Sequence, residues 1–130
     1  MNFAKRVFLI AGVYGLINLL PQYFMEAKLG RDYPPPVTHP ELFYGFIGVA
    51  VAWQVLFLII ACDPSRYRLV MLPSILEKVG FGVATVVLYL LGRIALVVFM
   101  FGIIDLVLAA LFFEAFRRTP AVEKKEVTGR

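Results

Sequence analysis

The chain has 130 residues, 61% of them hydrophobic and 17% charged, with a net charge of +4 and a mean hydropathy of +0.83. Soluble domains sit near about 45–50% apolar and 25% charged, and a water-soluble fold this small could not hide so much apolar surface. Disorder, a nucleic-acid-binding arm and a disulfide scaffold are excluded by the same composition, the last by a lone cysteine, Cys62.

A membrane span needs roughly 20 apolar residues, and four stretches supply it. The first covers residues 7–24. Lys5 and Arg6 precede it as they would precede a signal peptide, but Asn18, Pro21 and Gln22 occupy the place of a small-residue cleavage site, so it reads as a permanent span. Tyr14, Asn18 and Gln22 recur four residues apart and form a polar stripe on one helical face, beside which Pro21 is expected to kink the helix and free a carbonyl. Tyr33-Pro34-Pro35-Pro36 cannot be helix interior and reads as a stiff extended segment.

Thr38 and Glu41, three apart around Pro40, have the spacing of a capping box before the second span, residues 42–62. That span carries Gln54, with Tyr44 nearer its outer end, and a separate packing face of Gly45, Gly48 and Ala52. Asp63-Pro64 is placed to cap a short interfacial helix over residues 65–72, with Arg66, Tyr67 and Arg68. Ser74 and Glu77 repeat the capping-box spacing before the third span, residues 74–91. Only Gly92 and Arg93 then separate it from the fourth, residues 94–116, so the two form a tight antiparallel hairpin. Residues 119–130 have mixed charge and no apolar periodicity, and read as a disordered tail outside a single membrane domain, 1–118.

The basic residues set the orientation. Lys5, Arg6, Arg66, Arg68, Arg117, Arg118, Lys124, Lys125 and Arg130 fall on one side, with Lys78 near the edge, against Lys28, Arg31 and Arg93 on the other. This bias places both termini in the cytoplasm and makes the net charge a matter of topology and lipid headgroups, with no nucleic-acid partner implied.

Ionisable groups within hydrocarbon are costly and are functional candidates for that reason. Asp105 lies near the middle of the fourth span, and Glu77 and Lys78 lie in the first turn of the third. If the turn centres on Gly92 and Arg93, Asp105 comes level with Gly80, and Lys78 is two residues away along the axis. Gly80, Gly82, Gly102 and Ala109 would let the two backbones approach closely. The expectation is a buried or half-buried Lys78–Asp105 pair, with two meanings open. It fixes helix register, or Asp105 is a titrating or ligand-anchoring carboxylate tuned by Lys78. Asp105, Lys78, Glu77, Asn18, Gln22, Tyr14 and Gln54 together form the candidate intramembrane polar site. They serve either as interhelical hydrogen-bonding groups or as the lining of a narrow polar cavity.

His39 is the single histidine and Cys62 the single cysteine, so a multi-histidine or multi-cysteine metal or haem site within one chain is not expected. No Walker, zincin, nucleophile-elbow or dinucleotide-binding motif occurs in the chain. No metal, cofactor or catalytic residue is therefore expected.

The run LPSILEKVGFG, followed by GR and then by GIIDLVLAALFFEAFRRT, resembles small bacterial four-helix membrane proteins without an assigned activity. The resemblance implies a bacterial inner-membrane location and no particular chemistry. The fold expected is an all-α membrane protein, an antiparallel four-span bundle with N and C termini cytoplasmic. Two functions fit. The first is a non-catalytic protein acting through helix contacts, as a homo-oligomer or with other membrane subunits. The second is a protein that binds an apolar or amphipathic ligand, lipid or quinone-like, or couples to protons at Asp105.

Overall fold

The computed structural model describes residues 2–122, which form five helices: α1 (Phe3–Leu19), α2 (Glu26–Asp32), α3 (Pro40–Cys62), α4 (Met71–Leu90) and α5 (Leu96–Arg118). No strand occurs among the described residues. Turns of 3-10 helix extend two of them, Leu20–Phe24 after α1 and Arg68–Val70 before α4. With these extensions, four helices are long and apolar enough to cross a bilayer, which fits a multi-pass membrane protein.

The helix ends depart from the sequence expectation for identifiable local reasons. α1 starts four residues before position 7 because Asn2 caps it, its Oδ1 accepting from Lys5 N at 2.9 Å. At its other end Pro21 removes a helical N–H, and the last turn tightens to 3-10 geometry. Neither expected capping box forms. His39 caps α3 without a side-chain bond and its Nδ1 lies 3.2 Å from Glu41 Oε1, while Pro40 takes the first turn. α4 begins at Met71, where Pro73 falls in the first turn and its missing N–H costs nothing. Ser74 is therefore inside the helix, buried, its hydroxyl donating to Val70 O at 2.8 Å. The interfacial helix expected over residues 65–72 shrinks to turns, with Asp63 Oδ1 accepting from Arg66 N. The connection between α4 and α5 spans residues 91–95, longer than the expected pair, and Gly92 provides the left-handed conformation at φ +70°.

α1 packs against both α3 and α5, and α4 packs against α5, whereas α3 and α4 barely meet. The core draws on the first half of α1, the second halves of α3 and α5 and the start of α4. Phe8 stacks on Phe112 at 4.2 Å, and Phe57 sets its edge against Phe112 at 5.0 Å, with Met71 and Ile60 fully buried beside them. Ala4 and Ala11 keep the α1 backbone close to this cluster. Thr119, which the sequence assigns to the start of a disordered tail, is held here. Its hydroxyl donates to Ala115 O at 2.7 Å and its carbonyl accepts from Arg68 Nε at 2.6 Å, with the Arg68 guanidinium 3.8 Å over the Phe116 ring. The remainder of that tail, residues 123–130, lies outside the described residues.

Candidate functional site

The aromatic core joins the α1–α3 and α4–α5 pairs at one end of the molecule; towards the other end α3 and α4 barely meet, and a cavity of about 740 Å³ opens between them. Tyr14, Asn18 and Gln22 of α1 and its extension reach it, as do Gln54 of α3, Glu77 and Lys78 of α4, and Asp105 of α5. The seven polar residues singled out in the sequence thus line one space. Phe46, Phe81, Val97, Val98 and Phe101 make its apolar walls.

Lys78 anchors the deep end. It is 3% exposed, and its Nζ lies 3.4 Å from Asp105 Oδ1, 3.7 Å from Glu77 Oε2 and 5.2 Å from the centre of the Phe57 ring. The short α4–α5 connection sets this register. Gly82 and Gly102 allow it: a Cβ at Gly82 would stand 3.0 Å from Gly102 O and against the Leu106 side chain, and one at Gly102 would overlap Thr85. Glu77, expected to cap α4, instead turns toward Lys78, because the helix begins six residues before it. Its Oε2 is buried and accepts no hydrogen bond among the described residues.

Gln54 is 2% exposed; its Nε2 donates to Ala50 O at 3.0 Å, and its Oε1 has no partner among the described residues. It rests against Gly15, where any Cβ would overlap the amide. Gln22 Nε2 donates to Asn18 O at 3.0 Å, a bond from the extension back to α1 that uses the Asn18 backbone and not its side chain.

Sequence reasoning overlooks two contributions. Residues 25–37 form the rim, with Met25, Lys28, Leu29, Asp32, Tyr33 and Val37 on the lining. α2 sits within this segment and is tethered by Tyr44, whose hydroxyl donates to Glu26 Oε2 at 2.7 Å while its ring stacks on Tyr23. Acidic Glu26 in the first turn of α2 and basic Arg31 in its last are the sequence signals for that helix. The second is the small-residue face of α1. Ala4, Ala11 and Gly15, spaced around Phe8 at four, three and four residues, form a readable helical stripe.

The expected packing face of Gly45, Gly48 and Ala52 does not pack within the chain. Gly45 and Ala52 are exposed, and Gly48 has only the Tyr23 hydroxyl within reach, 3.5 Å from a built Cβ. The buried face of α3 is Ile47, Ala50, Gln54, Phe57 and Ile60, which puts those small residues on the far side. Gly80 is likewise open, since the α4 face that meets α5 runs through Lys78, Gly82 and Thr85. No group of three or more His, Cys, Asp or Glu side chains placed to hold a metal occurs among the described residues.

No protein-family model, no curated protein and no solved structure matches the chain.

Proposed function

We propose that the protein is a non-catalytic, four-span antiparallel bundle of the bacterial cytoplasmic membrane that binds a small amphipathic molecule in the cavity between α3 and α4. Both termini face the cytoplasm in this reading, on the evidence of Lys5, Arg6, Arg66, Arg68, Arg117 and Arg118. The observation that carries it is the convergence of polar side chains from four different helices on one apolar-walled space. Side chains that only joined neighbouring helices would be satisfied in pairs and spread along the contacts. Here they gather around about 740 Å³ of free volume, inside the range of roughly 300–1,000 Å³ typical of small-molecule sites. The charged cluster orients a ligand's polar end, and the phenylalanines and valines take its apolar body.

Native mass spectrometry of the protein released from its own lipids tests the reading. A single bound small molecule is expected in wild type and absent in Asp105→Asn. A stoichiometric protein partner without any small molecule would instead favour a second reading, assembly through helix contacts with itself or with other membrane subunits. Gly45 and Gly80 support that alternative, because both leave backbone open with nothing within 4 Å of a built Cβ. In that case Gly45→Leu would abolish crosslinking between chains.

A further inference from the structure

We propose that the cavity selects an amphipathic organic cation carrying at least one N–H, and that this cation enters in exchange for a proton held by Glu77 and Asp105. This rests on the ligand-binding reading above and narrows it to a chemical class.

The charges facing the cavity come from three elements. α4 contributes Glu77 and Lys78, α5 contributes Asp105, and the rim contributes Lys28 and Asp32, which offset each other. α1 adds the phenol of Tyr14, the rim that of Tyr33, and α3 only the amide of Gln54. Lys78 Nζ lies between the two carboxylates, at 3.4 and 3.7 Å, so one ammonium faces two acids. A single positive charge balances one carboxylate. The second carboxylate has no cation of its own in this largely apolar space, and either a proton or a bound monocation can balance it. In the proposed exchange that balancing proton gives way to a bound monocation. The exchange balances: one ammonium enters, one proton leaves, and the net charge within the membrane is unchanged.

A second, independent feature points to a donor-bearing ligand. Gln54 is 2% exposed and already uses its Nε2, yet its Oε1 has no partner among the described residues. Glu77 Oε2 is in the same position. Both orphaned atoms are acceptors, and a buried acceptor without a donor costs its desolvation. An ammonium supplies the missing N–H groups and the missing charge together. Phe46, Phe81 and Phe101 line the same space, and aromatic rings are the apolar surface that best tolerates a cation. An anion would find Lys78 already engaged by two carboxylates and would bring no N–H to the orphaned acceptors.

Three probes with one apolar cage separate the possibilities: adamantylamine, adamantanol and adamantane carboxylate, titrated calorimetrically into the protein in lipid nanodiscs. Repeating each titration in buffers of different ionisation enthalpy counts the protons released. The amine is expected to bind about tenfold or more tighter than the alcohol, the carboxylate weakest. Release of about one proton per bound amine, and none with the alcohol, is expected, as is tighter amine binding at mildly alkaline than at mildly acidic pH. Glu77→Gln and Asp105→Asn should each reduce proton release and flatten the preference for amine. The ranking in wild type stands without these variants should they fail to fold. Equal binding of amine and alcohol without proton release, or a preference for the carboxylate, overturns the cation exchange and leaves the ligand-binding reading intact. Failure of all three probes to bind also overturns the cation exchange, and the ligand-binding reading is then decided by whether native mass spectrometry finds a bound small molecule.

Discussion

Lys78 occupies a position that hydrocarbon alone would forbid, and its neighbours explain how it is tolerated. Asp105 and Glu77 flank the ammonium and the Phe57 ring lies 5.2 Å from it, so the protein itself compensates the charge. Removing one partner of such a cluster leaves the others uncompensated, which typically costs about 3–5 kcal/mol, whereas removing both partners costs far less. Lys78→Met is therefore expected to lower thermal stability in detergent sharply, and Lys78→Met/Asp105→Asn to recover more than half of the loss. A double variant no more stable than the single one would mean that Lys78 acts through some other contact. The pair is legible in the sequence because so few residues join α4 to α5: a short connection fixes which residues lie opposite one another. Gln54 against Gly15 is not legible in the same way. Its two helices are joined through residues 20–39, a connection long enough to allow many registers.

At the scale of elements, the face of α4 that packs inward is its polar and small face, Ser74, Lys78, Gly82 and Thr85 following Met71. In water this pattern would point outward. Against lipid the preference reverses, since tails solvate leucine as well as a protein core does and polar side chains gain by facing other helices. Glycine supplies the close approach on both sides of this contact, at Gly82 and Gly102. Substituting Gly102 by leucine should unfold the α4–α5 pair, because the Thr85 side chain cannot retreat from the facing helix. Gly80→Ala, at an open helical position, should instead gain up to about 1 kcal/mol from helix propensity. Melting curves of the two variants in the same detergent check both. Equal effects would mean that Gly80 also packs, against a second chain. The sequence shows that these glycines exist. Their placement beside Lys78 and Asp105 puts Gly82 and Gly102 on the contact face, but it also groups Gly80 with them, and Gly80 lies open.

Across the whole molecule, charge and packing divide along the same line. The end sealed by Phe8, Phe57 and Phe112 is also the end that carries Lys5, Arg6, Arg66, Arg68, Arg117 and Arg118. The end where α3 and α4 stand apart carries Lys28 and Arg31 on a rim of short helix and proline-rich chain. The four hydrophobic stretches were readable from length and composition, because spanning a bilayer demands both. The cavity was readable only as one of two alternatives for the polar residues, because a void is set by how far helices stand apart, and no residue type encodes that separation. Together the two facts predict a direction of access: with the basic end in the cytoplasm, the cavity opens toward the opposite face, and a ligand reaches Lys78 from outside. Cys62 makes the orientation measurable, being the single cysteine and exposed at the end of α3 on the basic side. A membrane-impermeant maleimide should leave it unlabelled in intact cells and label it once the membrane is permeabilised. In a Cys62→Ser background, His39→Cys at the opposite end of α3 should label in intact cells, and Arg66→Cys only after permeabilisation. The reverse pattern would put the cavity mouth in the cytoplasm, and the proton released on cation binding would then leave to that side.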